Sequence, residues 1–428
     1  MMKNFLRAAM VASLSLFVAG MVSIPAQAAA AAPADATAPK ISKAISKPLS
    51  AAQKALEAKD WATAIAKGKE AQALPDATDY DKFMTNYLLG LAYINSGDKV
   101  NATTAFLAAA QSTTAPKDQY TNVLRIALKL SSDAQNYDKT IELGEAAMKA
   151  GTTDDVVPEV VAIAYYNKND CVNALATVPK AIAAAQAAGK IAERSNYQVQ
   201  LMCQNKAKDV AAEIKTLEVM ANLFGQPEDW GNLLQFSLGV LPNGKTYREI
   251  AVLDVLRLGL VTKAELAADD YALMADLALG LHNPGDSQNA LRVGLQRGVL
   301  TQAKIAAKLN KAIADAAGDE QTLATAAAAA AKAATGERDV SVAEGFYSYG
   351  RFADAVRVAQ RAIGKPGGKK VEAPLLRGVS QAAMGDNANA AQSLALVRGD
   401  AQMERAAFLW SLYATRKYGQ PAAPAAGK

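Results

Sequence analysis

Histidine and cysteine, which often carry out catalysis or bind metals, are scarce in this sequence. Its 428 residues include one His and two Cys. This supply is too small for a zinc site with four Cys ligands, or for a metal centre built on several His side chains. An enzyme of the Ser–His or Cys–His type would depend entirely on His282. Because neither a Gly-x-Ser-x-Gly elbow nor a phosphate-binding loop occurs, the sequence predicts no catalytic residue, no metal site and no cofactor.

His282 has a structural interpretation. It follows the apolar stretch 277–281 and precedes Asn283-Pro284-Gly285, a sequence that ends a helix. A helix C-terminus favours a partly positive imidazole. We therefore expect His282 to lie at a helix end rather than in a catalytic site.

Composition excludes two further classes. Hydrophobic residues make up 51% of the chain, which is too many for a mainly disordered protein. The chain has 46 Lys and Arg against 41 Asp and Glu, a net charge of +5, which is not typical of a nucleic-acid-binding protein of this size. The sequence thus indicates a folded protein with no nucleic-acid partner.

The N-terminus predicts an export signal. Lys3 and Arg7 precede an apolar stretch over 8–24, and small residues, Ala26 and Ala28, stand three and one before an expected cut. An uncleaved anchor would need a longer apolar stretch. We expect cleavage after Ala28, no membrane span in the mature chain and a bacterial periplasmic location. Residues 29–47 are predicted to be a flexible Ala- and Pro-rich linker, and residues 419–428 a disordered tail.

A repeated spacing of small and aromatic residues organises the rest of the chain. Steps of three and four residues place side chains on one face of a helix, and a Gly-Asp pair between two such stretches turns the chain. Around residue 90 these positions are Gly90, Tyr93, Gly97-Asp98, Ala102, Phe106 and Ala109. The pattern predicts two helices that approach closely at the small residues, with aromatic side chains filling the space between them.

This spacing resembles the tetratricopeptide repeat (TPR), whose pattern Leu89 also fits. Asn86 stands where the repeat usually has Trp, and Thr114 where it usually has Pro. The register recurs at 60–71, 137–147, 165–181 and 343–362, and more loosely at 378–397.

The resemblance implies an all-α fold, a TPR-like right-handed α-solenoid of about ten helical hairpins, irregular between residues 205 and 334. Each hairpin is then expected to contact only its neighbours. Two arrays are predicted, 48–225 and 226–418. The turn-forming sequence at residues 225–230 marks the boundary between them, although it is equally compatible with an ordinary turn between repeats.

A disulfide between Cys171 and Cys203 follows from the same register. Cys171 begins the second helix of one hairpin, and Cys203 lies near the end of the first helix of the next. Stacked hairpins would bring these helix ends to one edge, and an exported protein allows the bond. The alternative is a pair of buried thiols.

The resemblance also implies a concave, protein-binding groove lined by the first helix of each hairpin. Its Tyr and Asn side chains could hold an extended peptide, with the Asn amides bonding to the peptide backbone. Ordinary solvated surface is the alternative for any one of these positions. The predicted groove residues are Tyr87, Leu91, Ile94, Asn95, Glu159, Ile163, Tyr166, Asn167, Glu344 and Tyr347.

The function that follows is that of a non-enzymatic periplasmic scaffold or adaptor, which binds a peptide or helix of other proteins within an envelope assembly. The segment from Pro227 to Gly285 loosely resembles TPR proteins of TonB-type systems. A TPR module of outer-membrane assembly or polysaccharide export is an alternative. A peptidoglycan-acting enzyme with a helical superstructure is a further alternative, but the repeats leave no room for its catalytic domain. A purely structural spacer is another.

Overall fold

The computed structural model describes residues 39–240, 248–367 and 370–418, and these residues divide into two compact units between Leu130 and Ser131. The predicted signal peptide, residues 29–38 of the predicted linker and the tail 419–428 lie outside the described residues. From Lys43 the segment predicted to be a flexible linker is helical, and Ile45 is buried. The described residues form helices and no strand, which confirms the all-α prediction. The predicted boundary between the two arrays, at Gly225, lies inside the second unit.

The first unit contains four helices and most of a fifth. Consecutive helices pack on each other from α1 to α4, and α1 also contacts α3. This is the arrangement of stacked hairpins. The helices are α1 (Lys43–Glu57), α2 (Trp61–Gln72), α3 (Asp79–Asn95), α4 (Lys99–Ala109) and α5 (Lys117–Asp133).

The second unit contains the end of α5 and fifteen further helices among its described residues. Its first part is α6 (Tyr137–Lys149), α7 (Val156–Asn167), α8 (Cys171–Ala187), α9 (Arg194–Ala207), α10 (Val210–Leu223), α11 (Pro227–Val240) and α12 (Arg248–Val261). The rest is α13 (Ala268–Gly280), α14 (Pro284–Gln296), α15 (Gln302–Lys332), α16 (Glu337–Ser348), α17 (Phe352–Ile363), α18 (Glu372–Ala383), α19 (Asn387–Leu394) and α20 (Ala401–Ala414).

One kind of turn separates the two helices of successive hairpins. A residue with positive φ is followed by Asp or Asn, whose side chain accepts a hydrogen bond from the backbone N–H three residues later. The first residue reverses the chain, and the second caps the next helix. The pairs are Lys59-Asp60, Gly97-Asp98, Gln135-Asn136, Asn169-Asp170 and Lys208-Asp209. This recurrence at intervals near one repeat is what makes the chain TPR-like.

Small residues bring paired helices together as predicted. A Cβ atom on Gly90 would lie 2.8 Å from the Phe106 ring, and one on Gly68 would lie 2.5 Å from the Leu89 side chain. Phe106 is fully buried. The contact confirms that glycine in α3 makes room for an aromatic ring of α4.

The middle of the second unit departs from the hairpin pattern at α15. This helix runs for 31 residues and passes through Gly318-Asp319, the kind of dipeptide that forms a turn at Gly97-Asp98. Asp319 accepts a hydrogen bond from the Tyr349 hydroxyl at 2.9 Å. This long helix lies in the segment 205–334, where the repeat register was predicted to be irregular.

The last helix, α20, produces contacts between residues far apart in sequence. It packs on α18 and α19, and also on α10 and α12. Trp410 of α20 donates a hydrogen bond from Nε1 to the Asp254 carbonyl oxygen at 2.9 Å, and Trp230 Nε1 donates to the Tyr418 hydroxyl at 2.9 Å. The expectation that hairpins contact only their neighbours is wrong here, because α20 covers helices that precede it by many repeats. We call α10–α20 the C-terminal module.

Trp230 and Trp410 are fully buried. Trp61 is half-buried at the start of α2. The C-terminal module thus has a core that joins its first and last helices. No helix in the described ranges has both the length and the apolar character needed to cross a membrane.

Candidate protein-binding faces

The predicted groove residues of the first unit lie on α3, whose N-terminus is held by several hydrogen bonds. The Thr78 hydroxyl accepts a hydrogen bond from the Asp81 backbone N–H at 3.1 Å, and the Asp81 carboxylate accepts one from the Thr78 N–H at 3.0 Å. Asp81 also accepts a hydrogen bond from the Ser42 N–H at 3.0 Å. This capping box fixes where α3 begins and hence which side chains face outward.

Helix α5 lies beside α3 and extends the same face. The Tyr80 hydroxyl donates to Gln119 Oε1 at 3.4 Å, and Asn122 Nδ2 donates to the Tyr87 hydroxyl at 3.4 Å. The first helices of two successive hairpins are therefore adjacent. We call the surface formed by Tyr87, Ile94 and Asn95 of α3 with Gln119 and Asn122 of α5 the α3–α5 face.

Exposure differs among the four predicted residues of α3. Ile94 is 37% exposed and Asn95 is exposed, while Tyr87 is half-buried. Leu91 is only 8% exposed and belongs to the core, so its prediction as a groove-lining side chain is wrong. Leu91 is one turn from Tyr87 and from Asn95, but it turns inward to pack between helices. Asn95 Nδ2 donates to the Leu91 carbonyl oxygen at 2.7 Å, an intrahelical bond that a peptide would have to replace.

A row of aromatic rings supports this face. Tyr80 and Phe83 stack at 6.0 Å between centroids, Phe83 and Tyr87 stack at 6.2 Å, and Tyr87 meets Phe106 edge-on at 6.2 Å. Burial raises the pKa of Tyr80 and Tyr87, against the opposing effect of their hydrogen-bond partners. Both phenols stay neutral near pH 7 and can donate or accept hydrogen bonds.

The second predicted set lies on α7, beside α9. The Ser195 hydroxyl of α9 donates a hydrogen bond to Glu159 Oε1. Burial raises the pKa of Glu159, while the Ser195 bond lowers it and the nearby charges of Glu193 and Asp155 raise it. We call the surface formed by Glu159, Ile163, Tyr166 and Asn167 of α7 with Ser195 and Lys206 of α9 the α7–α9 face.

The far end of this face combines an aromatic ring, a cation and an exposed amide. Lys206 Nζ lies 4.6 Å from the centroid of the half-buried Tyr166 ring and donates to Asn169 Oδ1 at 2.8 Å. Asn167 is exposed and Ile163 is half-buried. An apolar side chain and an aromatic ring can contact the side chains of a bound polypeptide, and an open amide can form hydrogen bonds with its backbone polar atoms.

A disulfide fixes the helices behind the α7–α9 face. Cys171, the first residue of α8, is bonded to Cys203 near the end of α9, with Cα atoms 5.3 Å apart. Asp170, which caps α8, accepts a hydrogen bond from the Asn173 N–H at 3.1 Å, so the start of α8 is itself well defined. The covalent bond links two successive hairpins through α8 and α9.

The third predicted set is not on an open groove. Tyr347 is 5% exposed and Glu344 faces inward, so both predictions are wrong for this part of the chain. The Arg257 guanidinium lies 4.3 Å from the Tyr347 ring centroid, and its Nη2 is 2.8 Å from Glu344 Oε2. The physical reason is that α12 covers the face of α16 that the repeat pattern would leave open.

Sequence reasoning missed the α5 and α9 side chains of these faces. Asn122 follows Tyr87 by about one repeat, and Lys206 follows Tyr166 at a similar distance. Repeat spacing could therefore have found them, although neither helix carries the full set of small and aromatic marker residues. His282 is exposed in the turn after α13 with φ of 61°, which fits the predicted helix end. No group of three or more His, Cys, Asp or Glu in the described ranges could hold a metal ion.

No known family profile matches this chain, and a comparison with curated proteins finds no match in sequence. Among solved structures, a tetratricopeptide repeat protein from Parabacteroides merdae is 11% identical with a TM-score of 0.32; the match covers 64% of this chain and 100% of that one. The TPR domain of P58(IPK) is 12% identical with a TM-score of 0.24, covering 86% of this chain and 98% of that one. A chain in the structure of Naa15/Naa10 bound to HypK-THB is 13% identical with a TM-score of 0.27, covering 82% and 63%. The TPR-like architecture of this chain rests on its own helix pairs and turns.

Proposed function

We propose that this protein is a non-enzymatic scaffold or adaptor that binds other proteins through the α3–α5 face and the α7–α9 face. The observation that carries the proposal is the difference in exposure among positions of the repeat. Ile94, Asn95 and Asn167 are exposed, whereas Tyr347 is buried by its own chain. The open positions are therefore those available to a partner.

The chemistry of the two faces favours an extended peptide or the side of a helix. Each face has a tyrosine and an exposed asparagine, with Ile94 or Ile163 as an apolar contact. Aromatic anchors with polar neighbours are typical of interfaces in which a few residues supply most of the binding free energy. Proteins are thus the expected partners.

The bacterial periplasm is the proposed location. A disulfide between Cys171 and Cys203 supports a compartment that is more oxidising than the cytosol. The export signal predicted before Ala28 supports the same location. A role in an envelope assembly, and within it a TonB-type system, rests on the sequence resemblance and is part of the proposal.

Photo-crosslinking from single positions tests the binding proposal. A photoreactive amino acid is placed at Ile94 or Asn167, and the matched controls carry it at Val100 or Val172, which are 78% and 80% exposed on the second helix of the same hairpins. Each full-length variant is irradiated in native envelope extract. From each of Ile94 and Asn167 we expect adducts that recur from one extract to the next. We expect none of these adducts from Val100 or Val172.

Equal adducts from the face and control positions would overturn the proposal, because contact would then not depend on these faces. Tyr166→Ala, in a chain that carries the photoreactive amino acid at Asn167, provides a second test. A spacer without a binding face would keep every adduct in that variant, whereas the proposal predicts loss of the adducts formed from Asn167.

A further inference from the structure

Four ionisable side chains, none of which belongs to the proposed binding faces, meet inside the C-terminal module. Arg257 Nη1 is 2.7 Å from Asp254 Oδ1, and Arg257 Nη2 is 2.6 Å from Asp286 Oδ2 and 2.8 Å from Glu344 Oε2. We call Asp254, Arg257, Asp286 and Glu344 the buried ion cluster. Three helices, α12, α14 and α16, contribute to it.

The cluster contains more negative than positive groups. The side chains of Asp254 and Arg257 are each 2% exposed, Asp286 is 6% exposed and Glu344 is 18% exposed. One guanidinium and three carboxylates would carry a net charge of −2 if every group were ionised. Because an uncompensated charge is costly to bury, such a cluster takes up a proton instead.

Hydrogen bonding distinguishes the three carboxyl groups. Asp286 Oδ2 accepts from both Nε and Nη2 of Arg257, at 3.1 and 2.6 Å. Glu344 accepts from Arg257 Nη2 and from Asn283 Nδ2, at 2.8 and 3.5 Å, and is the most exposed of the three. Asp254 accepts from Arg257 Nη1 and is nearly inaccessible to water. Asp254 is thus the carboxyl group best placed to hold the proton.

The charged and titratable groups around Asp254 come from three helices. Arg257 lies on α12 itself, Asp286 on α14, and Glu344 with Tyr347 on α16. Burial raises the pKa of Asp254 to about 7, with Arg257 acting in the opposite direction and Glu344 and Asp286 adding to the rise. Burial also raises the pKa of Asp286.

The cluster is joined directly to the closing helix. The Asp254 carbonyl oxygen accepts the Trp410 Nε1–H hydrogen bond, and the Trp410 ring meets Tyr413 edge-on at 6.2 Å. Tyr413 in turn meets Trp230 at 6.2 Å. A change in the position of Asp254 therefore acts on the contact that holds α20 against α12.

We propose that the buried ion cluster is a proton-dependent latch, in which a proton on Asp254 holds α12, α14 and α16 together and keeps α20 docked. The ligand of this site is the proton. Deprotonation of Asp254 adds a second uncompensated negative charge to the cluster, and the α20 contact weakens as a result.

The direction of the pH dependence follows from the two states of Asp254. Its pKa is about 7 in the folded module and about 4 in an unfolded chain. Between these two pH values the folded module binds more protons than the unfolded chain. The contribution of Asp254 to the stability of the module is therefore greatest below about pH 4 and falls as the pH rises to about 7. Carboxylates whose pKa is lowered, such as Asp98 and Asp170, have the opposite effect and act below this range.

Hydrogen exchange of the α20 backbone amides in the full-length protein tests the latch. Rates between pH 5 and 7 are corrected for intrinsic exchange and give the opening equilibrium of α20. One released proton makes that equilibrium constant rise about tenfold per pH unit. We expect this rise in the wild type and in Asp315→Asn, which changes an exposed carboxylate of α15. In Asp254→Asn the opening equilibrium constant should no longer rise tenfold per pH unit.

Glu344→Gln gives a second test that does not alter Asp254. It removes one negative charge that faces Asp254, so the pH-dependent range should end at a lower pH than in the wild type. Opening of α20 that does not change with pH in the wild type would overturn the latch, as would an unchanged slope in Asp254→Asn. If Asp254→Asn fails to fold, Glu344→Gln decides the matter, and an unchanged pH range in that variant would also overturn the proposal.

Discussion

Tyr166 and Tyr347 occupy the same position in the repeat but have different surroundings. Each stands four residues before the residue that precedes the second helix of its hairpin, Asp170 for Tyr166 and Arg351 for Tyr347. Each also has a cation over its ring, Lys206 at 4.6 Å for Tyr166 and Arg257 at 4.3 Å for Tyr347. Only Tyr347 is buried.

This difference shows that repeat position alone does not determine whether a side chain is available to a partner. In the α7–α9 face the cation comes from the adjacent repeat and ends in solvent. In the C-terminal module it comes from α12, which packs on α20, and it also pairs with the carboxylates of Asp254 and Asp286. The same aromatic position is therefore part of a binding face in one region and part of the core in the other.

The largest expected difference between these regions is in the free energy of unfolding after removal of the cation. Arg257→Met leaves three carboxylates without their partner in the core, and breaking a buried ion pair in this way costs about 3–5 kcal/mol. Trp230 and Trp410 both lie in the C-terminal module, so denaturant unfolding followed by tryptophan fluorescence measures the loss. A loss smaller than about 1 kcal/mol at pH 7, the range of an exposed ion pair, would contradict the assignment of Arg257 to a buried site.

Removal of the disulfide is expected to be the largest perturbation of the α7–α9 region. The bond closes a loop with a sequence separation of 32, and the loop-entropy relation gives about 3–4 kcal/mol for such a loop. The double variant Cys171→Ser with Cys203→Ser should lower the stability of this region by that amount, measured by hydrogen exchange of α8 and α9. Equal exchange in the oxidised and double-variant proteins would show that the bond does not constrain these helices.

The smallest expected effect is that of Lys206→Ala on stability. An exposed cation beside an aromatic ring contributes about 0.5–1 kcal/mol, because water already solvates the charge. Denaturant unfolding should therefore change by no more than this, in contrast to Arg257→Met. A loss of about 3 kcal/mol or more would mean that Tyr166 and Lys206 are part of a core, and the α7–α9 face would no longer be an open surface.

Local features of the fold could be predicted from the sequence because they depend on residues close in the chain. The Gly97-Asp98 turn, the contact of Gly90 with Phe106 and the helix end at His282 follow from spacing and residue type. The placement of Cys171 and Cys203 follows from the repeat register, which brings neighbouring helix ends together.

Features that depend on distant residues could not be predicted in this way. Nothing near Tyr347 in sequence indicates that Arg257 will cover it, since that contact requires α12 and α16 to meet. The bond from Trp410 to Asp254 likewise joins residues 156 positions apart. Gly318-Asp319 shows a further limit, because the same dipeptide that turns the chain at Gly97-Asp98 lies inside the long helix α15.

The central claim is that partner proteins bind the open faces and not the C-terminal module. Hydrogen exchange of the full-length chain, free and in complex with a protein captured by crosslinking from Asn167, tests it directly. The account predicts slower exchange on binding in α7 and α9, or in α3 and α5, with no change in α12, α14 and α16. Slower exchange confined to α12, α14 and α16, with α3, α5, α7 and α9 unchanged, would contradict it.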